Sequence, residues 1–315
     1  MAQQANHPLP GGHQLEEYTI DRQLSLGGFS IVYLARDPDG TEVAIKEYLP
    51  NSLALRAKGD IKPIITEDHL GAFRYGMKCF FEEGRALARL SHPNVIRVLN
   101  FFRANETVYM VMEYEHGRTL QEFIYKHQGH VSERFIRGVF TRMLNGLREV
   151  HSHKLLHLDL KPSNIYLRGD NSPVLIDFGA ARQTLASDQP VLKPMYTPGF
   201  ASPEHYGNRK DLGPWSDIYS VGASMYACLA GSAPQAADER MKKDTLTPAM
   251  VRWEGQFSDR LLEIIDWCLN LNHLYRPQSV FALQKALVAD IHPPTSRIQS
   301  GWIGRFVDKF RSSPR

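Results

Sequence analysis

An aspartate, a lysine and an asparagine share one short run, His157-Leu158-Asp159-Leu160-Lys161-Pro162-Ser163-Asn164. A second aspartate follows the apolar stretch Val174-Leu175-Ile176 and opens Asp177-Phe178-Gly179. These types suit transfer of a phosphoryl group to a hydroxyl. One carboxylate can orient the attacking oxygen, and an ammonium can neutralise charge on the group in transit. An amide oxygen and a second carboxylate suit magnesium, a hard cation that takes oxygen ligands.

Such groups work only if the chain positions them. Residues 18–24, 31–35 and 42–48 read as strands, with the turn signal Asp39-Gly40 before the third. A side-chain period of two sets Val43 and Ile45 on one face of that third strand, and Ala44 and Lys46 on the other. A small residue beside a lysine leaves room for a flat base while the ammonium reaches phosphate. By itself Val-Ala-Ile-Lys also fits any half-buried strand. Before His92-Pro93, the residues Phe80, Glu83, Leu87 and Leu90 form one helical stripe. A carboxylate there is costly to bury without a cationic partner. The neighbouring Glu82 points away from the stripe.

Together these motifs resemble the eukaryotic-type (Hanks-type) Ser/Thr protein kinases, over about 18–287. The resemblance implies an α+β, two-lobed protein kinase fold. It places a small β-rich N-lobe at 17–113 and a larger α-helical C-lobe at 117–288, within a kinase domain at 17–288. It further implies that Asp159 orients the substrate hydroxyl, Lys161 stabilises the moving phosphoryl, and Asn164 and Asp177 hold Mg²⁺. Lys46 would pair with Glu83. ATP would lie among Leu24, Gly27, Gly28, Val32, Ala44, Lys46, Met112, Glu113, Tyr114 and Leu167, with Met112 also readable as simple core. The substrates would be serine and threonine side chains of proteins, possible autophosphorylation included.

Three supports follow from the same resemblance. Thr197 would brace Asp159 and Lys161, Glu204 of Ser202-Pro203-Glu204 would pair with Arg276, and Asp217 would hold the catalytic-loop backbone. His157 is a structural member of that loop. A metal reading of His151, His153 and His157 is weak, because their spacing does not share one helix face.

The chain also departs from the family pattern. The phosphate-covering segment is Ser25-Leu26-Gly27-Gly28-Phe29-Ser30, with serines where glycines are usual, so a stiffer or lifted loop is expected. Leu158 stands where kinases switched by activation-loop phosphorylation carry an arginine. Leucine cannot pair with a phosphate, so activity independent of that switch is expected, although Thr184 and Ser187 lie in the segment and Arg182 or Lys193 could substitute. The connection at 47–82 is longer than the family minimum and is similar to an extension in some bacterial members; a tolerated surface insertion reads equally well. These departures support one rival, a pseudokinase that binds partners. A second rival, a small-molecule kinase, fits the Pro-Glu segment poorly.

Composition narrows the remaining classes. The 315 residues are 43% hydrophobic, enough for a large core, and the net charge of +3 argues against a nucleic-acid partner. Three dispersed cysteines make no C-x-x-C pair, so a zinc site or disulfide framework is not expected and a reducing cytoplasm is. No window reads as a transmembrane span. Residues 1–16 read as a flexible, polar lead-in. Residues 289–315 read as a basic amphipathic tail, whose 302–311 segment could contact a membrane surface or a partner, fold back, or stay disordered.

Overall fold

A computed structural model of the chain describes residues 6–128, 130–178, 197–207 and 209–289. Gly179, Arg182, Thr184, Ser187, Lys193 and the tail beyond 289 lie outside the described residues. The architecture is the two-lobed one expected. A six-stranded antiparallel sheet contains β1 (Gln14–Leu15), β2 (Tyr18–Leu26), β3 (Ser30–Arg36), β4 (Glu42–Tyr48), β5 (Val98–Ala104) and β6 (Thr107–Glu113). Its spatial order is β1-β2-β3-β4-β6-β5. One long helix, α1 (Glu67–Leu87), packs against β5 and β6.

The register bears out the period-two reading of β4. Val32 faces Lys46, and Ala44 faces both Leu34 and Met112, so these residues share one side of the sheet. On the other side Tyr33, Ile45 and Val43 are almost wholly buried.

Three expectations change in this lobe. Strands β2 and β3 pair as far as Leu26 and Ile31, so the phosphate-covering segment is a tight turn at 27–29 instead of a loop at 25–30. Helix α1 begins at Glu67, which reduces the irregular connection to 49–66. The lead-in is not flexible from Asn6 onward. Leu9 and Leu15 are core residues at 2% and 1% exposure, and Asn6 is buried in a set of hydrogen bonds to the 49–56 segment. The polar composition hid this, because the apolar residues that anchor the strap are isolated in sequence and find their partners about 40 residues away.

The second lobe is mostly helical. A three-stranded sheet, β7 (Gly117–Thr119), β8 (Ile165–Arg168) and β9 (Pro173–Leu175), lies at its boundary with the first. Residues 95–97 were expected to open a strand of the N-lobe sheet. Instead Val95 bridges Leu175, and the Ile96 amide donates to the Leu175 carbonyl, so this stretch ties the two lobes together. Helix α2 (Leu120–His127) starts with a capping box of Thr119 and Glu122. Helix α3 (Glu133–Ser152) is capped by Ser132 and buries Val139, Phe140, Met143, Leu147 and Val150 at the spacing its sequence predicts. Around it lie α4 (Pro203–Tyr206), α5 (Pro214–Ala230), α6 (Ala237–Lys242), α7 (Ala249–Arg252), α8 (Asp259–Cys268) and α9 (Val280–Val288). Helix α5 is buried along nearly its whole length, the central helix of this lobe.

Among the described residues no helix is long and apolar enough to cross a membrane. The three cysteines are free thiols, with Cys228 and Cys268 fully buried.

Candidate active site

The catalytic candidates converge at the boundary between the lobes. After α3 the chain runs through 153–161 without regular structure and makes one 3₁₀ turn at Pro162–Asn164 before entering β8. Proline at the start of that turn costs no hydrogen bond, since its N–H would have had no helical partner.

Within this loop the polar groups saturate one another. The Lys161 ammonium donates to both carboxylate oxygens of Asp159, at 3.1 and 3.0 Å, and to the Thr197 hydroxyl at 2.8 Å. Thr197 in turn donates to Asp159 Oδ1 at 3.1 Å. The Asn164 amide donates to the Asp159 carbonyl at 2.8 Å and to Asp159 Oδ2 at 3.1 Å. Its amide nitrogen is thereby turned inward, which aims the amide oxygen the other way. Asp159 itself is nearly buried, with a side chain 9% exposed.

Asp177 reaches the same place from the end of β9. Its carboxylate forms an ion pair with Lys46 of β4, across the boundary between the lobes. The Lys46 ammonium also lies 5.6 Å from the centre of the Phe80 ring on α1. Glu83, one turn further along, sits on the buried side of the same helix at 9% exposure, whereas Glu82 is exposed.

Two backbone conformations mark the site, and neither could be read from residue types. Leu158 has φ 61° and Asp177 has φ 58°, in the left-handed region that non-glycine residues adopt at a cost of about 1–3 kcal/mol. Hydrogen bonds hold Leu158 there from both sides. Its N–H donates to Asp217 Oδ1 at 2.8 Å, and its carbonyl accepts from His205 Nε2 at 3.2 Å. Asp217, at the start of α5, also accepts from the His157 amide at 2.9 Å and from His151 Nε2 at 2.8 Å. Burial alone would push this carboxyl up, but the His151 hydrogen bond and the surrounding donors hold it below the ordinary range.

His157 is wholly buried and stacks on Phe178 with ring centres 4.4 Å apart. Its Nε2 lies 3.2 Å from the Ile176 carbonyl, and its Nδ1 accepts from the Asp159 amide at 3.4 Å. Burial pushes this imidazole down and keeps it neutral, so it is a crosslink between the two aspartate segments. His151 and His157 both bond to Asp217, and no three metal-binding side chains converge among the described residues. At 2.9 Å Arg276 pairs with Glu204, which fixes the segment that carries Thr197.

The candidate base pocket lies on the Ala44–Lys46 side of the sheet. Val32, Ala44 and Met112 share that face by register, Leu24 is half-buried on β2, and Glu113 and Tyr114 continue from β6. Leu167 comes from β8 and is 1% exposed. The chain passes it closely: a Cβ on Gly117 would meet the Leu167 carbonyl oxygen at 1.9 Å, so glycine is required there. Arg168 closes the segment through a fork on Glu115, with Nε to Oε2 at 2.7 Å. Gly27 and Gly28 occupy the turn above.

The side chains present fit the magnesium expected of such a site. One carboxylate and one amide oxygen form a hard donor set too small to hold the ion alone, as for Mg²⁺ that completes its shell with substrate phosphates and water.

Comparison with known proteins agrees with this geometry. Residues 18–288 match the model of the protein kinase domain family. The chain is 32% identical over 252 residues to serine/threonine-protein kinase Nek2 of Homo sapiens, covering 75% of this chain and 56% of that protein. It is 26% identical over 301 residues to serine/threonine-protein kinase PLK4 of Danio rerio, covering 94% of this chain but 30% of that protein. The chain thus spans about half or less of the length of these curated relatives. Among solved structures, the apo form of PpkA-294 superposes with a TM-score of 0.81 at 33% identity, covering 89% of this chain and 99% of the other. The PknI kinase domain of Mycobacterium tuberculosis superposes at 0.67 with 20% identity, a likeness of fold.

Proposed function

Since the chain belongs to the protein kinase domain family, we propose that it transfers the γ-phosphoryl group of ATP to serine or threonine hydroxyls of protein substrates. The observation that supports this most is the closed set of Asp159, Lys161, Thr197 and Asn164 facing Asp177. It is a preorganised arrangement, and preorganised charge is what phosphoryl transfer asks of a protein.

In this reading Asp159 orients the incoming hydroxyl and accepts its proton as the bond to phosphorus forms. Lys161 already touches both carboxylate oxygens of Asp159 and is placed to follow the negative charge onto the phosphoryl oxygens. Thr197 ties the two together, the arrangement of a Ser/Thr kinase. Magnesium, when bound with nucleotide, neutralises phosphate charge, and Asp177 with the Asn164 oxygen would hold it. Lys46 would then shift from Asp177 towards phosphate and Glu83, whose place one turn beyond Phe80 keeps it near the ammonium. Leu24, Val32, Ala44, Met112 and Leu167 would enclose the base, with Glu113 and Tyr114 supplying backbone groups and Gly27 and Gly28 covering the phosphates.

Activity is proposed to be independent of an activation-segment phosphate paired to the catalytic loop, because Leu158 offers no charge. A reducing, cytoplasmic setting is proposed from the three free thiols. The deciding experiment is transfer of labelled γ-phosphate from Mg-ATP to a generic basic protein and to the chain itself. Incorporation on serine or threonine, lost in Asp159→Asn, is the expected outcome. Nucleotide binding without incorporation would favour the partner-binding pseudokinase instead.

A further inference from the structure

The outer face of the N-lobe sheet carries a polar cluster that the proposed chemistry does not use. Glu47 and Arg56 are both 0% exposed and form an ion pair, with Arg56 Nη1 to Glu47 Oε1 at 2.6 Å and Nη2 to Oε2 at 2.7 Å. Tyr33 and Tyr109 add hydroxyls on Glu47 at 2.7 and 2.8 Å. Arg56 also donates from Nε to the His7 carbonyl, at 2.8 Å. This cluster pins the N-terminal strap and the 49–56 segment to the strand that bears Lys46.

Asn6 is the link between strap and segment. Its amide nitrogen donates to Asn51 Oδ1 at 2.8 Å, to the Ala54 carbonyl at 3.1 Å and to the Leu49 carbonyl at 3.3 Å. Its oxygen accepts the Arg56 amide at 2.6 Å. The side chain is 2% exposed, so these bonds are sheltered from water. The segment it organises is a turn in which the Leu53 and Ala54 amides both donate to the Pro50 carbonyl.

That turn holds the phosphate-covering turn directly. The Leu49 amide donates to the Phe29 carbonyl at 2.9 Å, and the Asn51 amide donates to the Gly28 carbonyl at 2.9 Å. The first bond extends the β3–β4 ladder by one step beyond Ser30 and Tyr48. The second arises because the chain bends at Pro50 and returns over the tip. A turn with serines at its flanks is thus anchored from outside by backbone donors, and these donors are set in place by Asn6.

We propose that Asn6 and the 50–54 turn form a brace that sets the position of the Gly27–Phe29 turn and thereby the affinity for nucleotide, with Asn6 and Asn51 as positioning residues. This rests on the reading of the cleft as an ATP site. In a brace of this kind, loosening the strap weakens nucleotide binding without altering the groups that handle the phosphoryl.

Asn51→Pro and Asn51→Ala separate the contributions. Both remove the side-chain bond to Asn6, but only proline removes the N–H bonded to Gly28. Position 51 is the second residue of a turn closed on the Pro50 carbonyl, where the φ of proline is accepted. Asn6→Ala is the third variant and leaves the turn's own sequence intact. Each full-length variant is assayed for KM of ATP, KM of protein substrate and kcat, and for hydrogen exchange of amides 26–31 and 49. The expected result is faster exchange in Asn6→Ala and Asn51→Pro, with the KM for ATP raised about fivefold or more in Asn51→Pro, the scale of one lost hydrogen bond. Asn51→Ala should show a smaller rise, while kcat and the KM for protein substrate stay within about twofold, the precision usual for such comparisons. A merely structural defect would lower kcat with the active fraction and leave the KM for ATP unchanged, which overturns the proposal. Wild-type exchange and wild-type KM in Asn51→Pro and Asn6→Ala overturn it as well. Should the wild-type chain bind no Mg-ATP, the nucleotide reading itself falls, and the exchange data alone report whether the brace exists.

Discussion

The imidazole Nε2 of His205 lies 3.2 Å from the carbonyl oxygen of Leu158, one peptide before Asp159. His205 belongs to α4, the segment that follows Thr197, so this bond joins that segment to the catalytic loop at its left-handed residue. The other ring nitrogen faces the Ser202 hydroxyl at 2.9 Å and the Ser202 amide at 3.2 Å. Burial pushes His205 down, outweighing the nearby Asp217 and Glu204 charges that oppose it.

The pH dependence of stability follows from His205 and His157. Both are held neutral in the fold, while in the unfolded chain each takes up a proton below about pH 6.5. The unfolded state therefore binds more protons as pH falls through that value, and stability is lost going down. Thermal melting at pH 7.5 and 5.5 should show a lower midpoint at pH 5.5. His205→Gln keeps a donor for Leu158 and an acceptor for Ser202, and should shrink that difference. An unchanged pH response in this variant would remove His205 from the account.

Breaking the Arg56–Glu47 pair should be costly. Arg56→Ala leaves an unpaired carboxylate in a site with no exposure, a loss of about 3–5 kcal/mol. The double variant Arg56→Met with Glu47→Gln removes both charges and should recover part of it. Urea unfolding of the three chains gives the comparison. Equal destabilisation by the single and double changes would show that packing, not the stranded charge, sets the loss.

Tyr48 offers the opposite sign. Its hydroxyl is buried and has no hydrogen-bond partner among the described residues, while its ring packs on Phe73 and Phe80 of α1. Tyr48→Phe keeps the packing and deletes a polar atom whose desolvation costs about 1–3 kcal/mol. The variant should melt at or above the wild-type temperature; a clear drop would mean that the hydroxyl has a partner, such as a water.

Phosphatase treatment tests the role assigned to Leu158. Transfer activity should survive removal of phosphate from the chain, and Thr184→Ala with Ser187→Ala should behave like wild type. Loss of activity on dephosphorylation, restored when that segment is rephosphorylated, would sink the idea.

Some of this protein was settled by sequence alone. Asp159, Lys161 and Asn164 fall within one short loop, so no fold could carry them far apart, and a period of two put Ala44 and Lys46 on one face wherever the strand went. Amphipathic spacing also identified α3 and the buried side of α1. The tertiary structure alone decided which charges lose their water. Glu47, Arg56 and Asn6 read as solvated polar residues, because nothing local to each of them records a partner up to 50 residues away. Leu158 reads as a missing charge, and its left-handed backbone is visible only once Asp217 and His205 grip it from a helix and a turn far along the chain. Residue type and spacing specify what a group can do; burial and strain depend on which distant segments close over it.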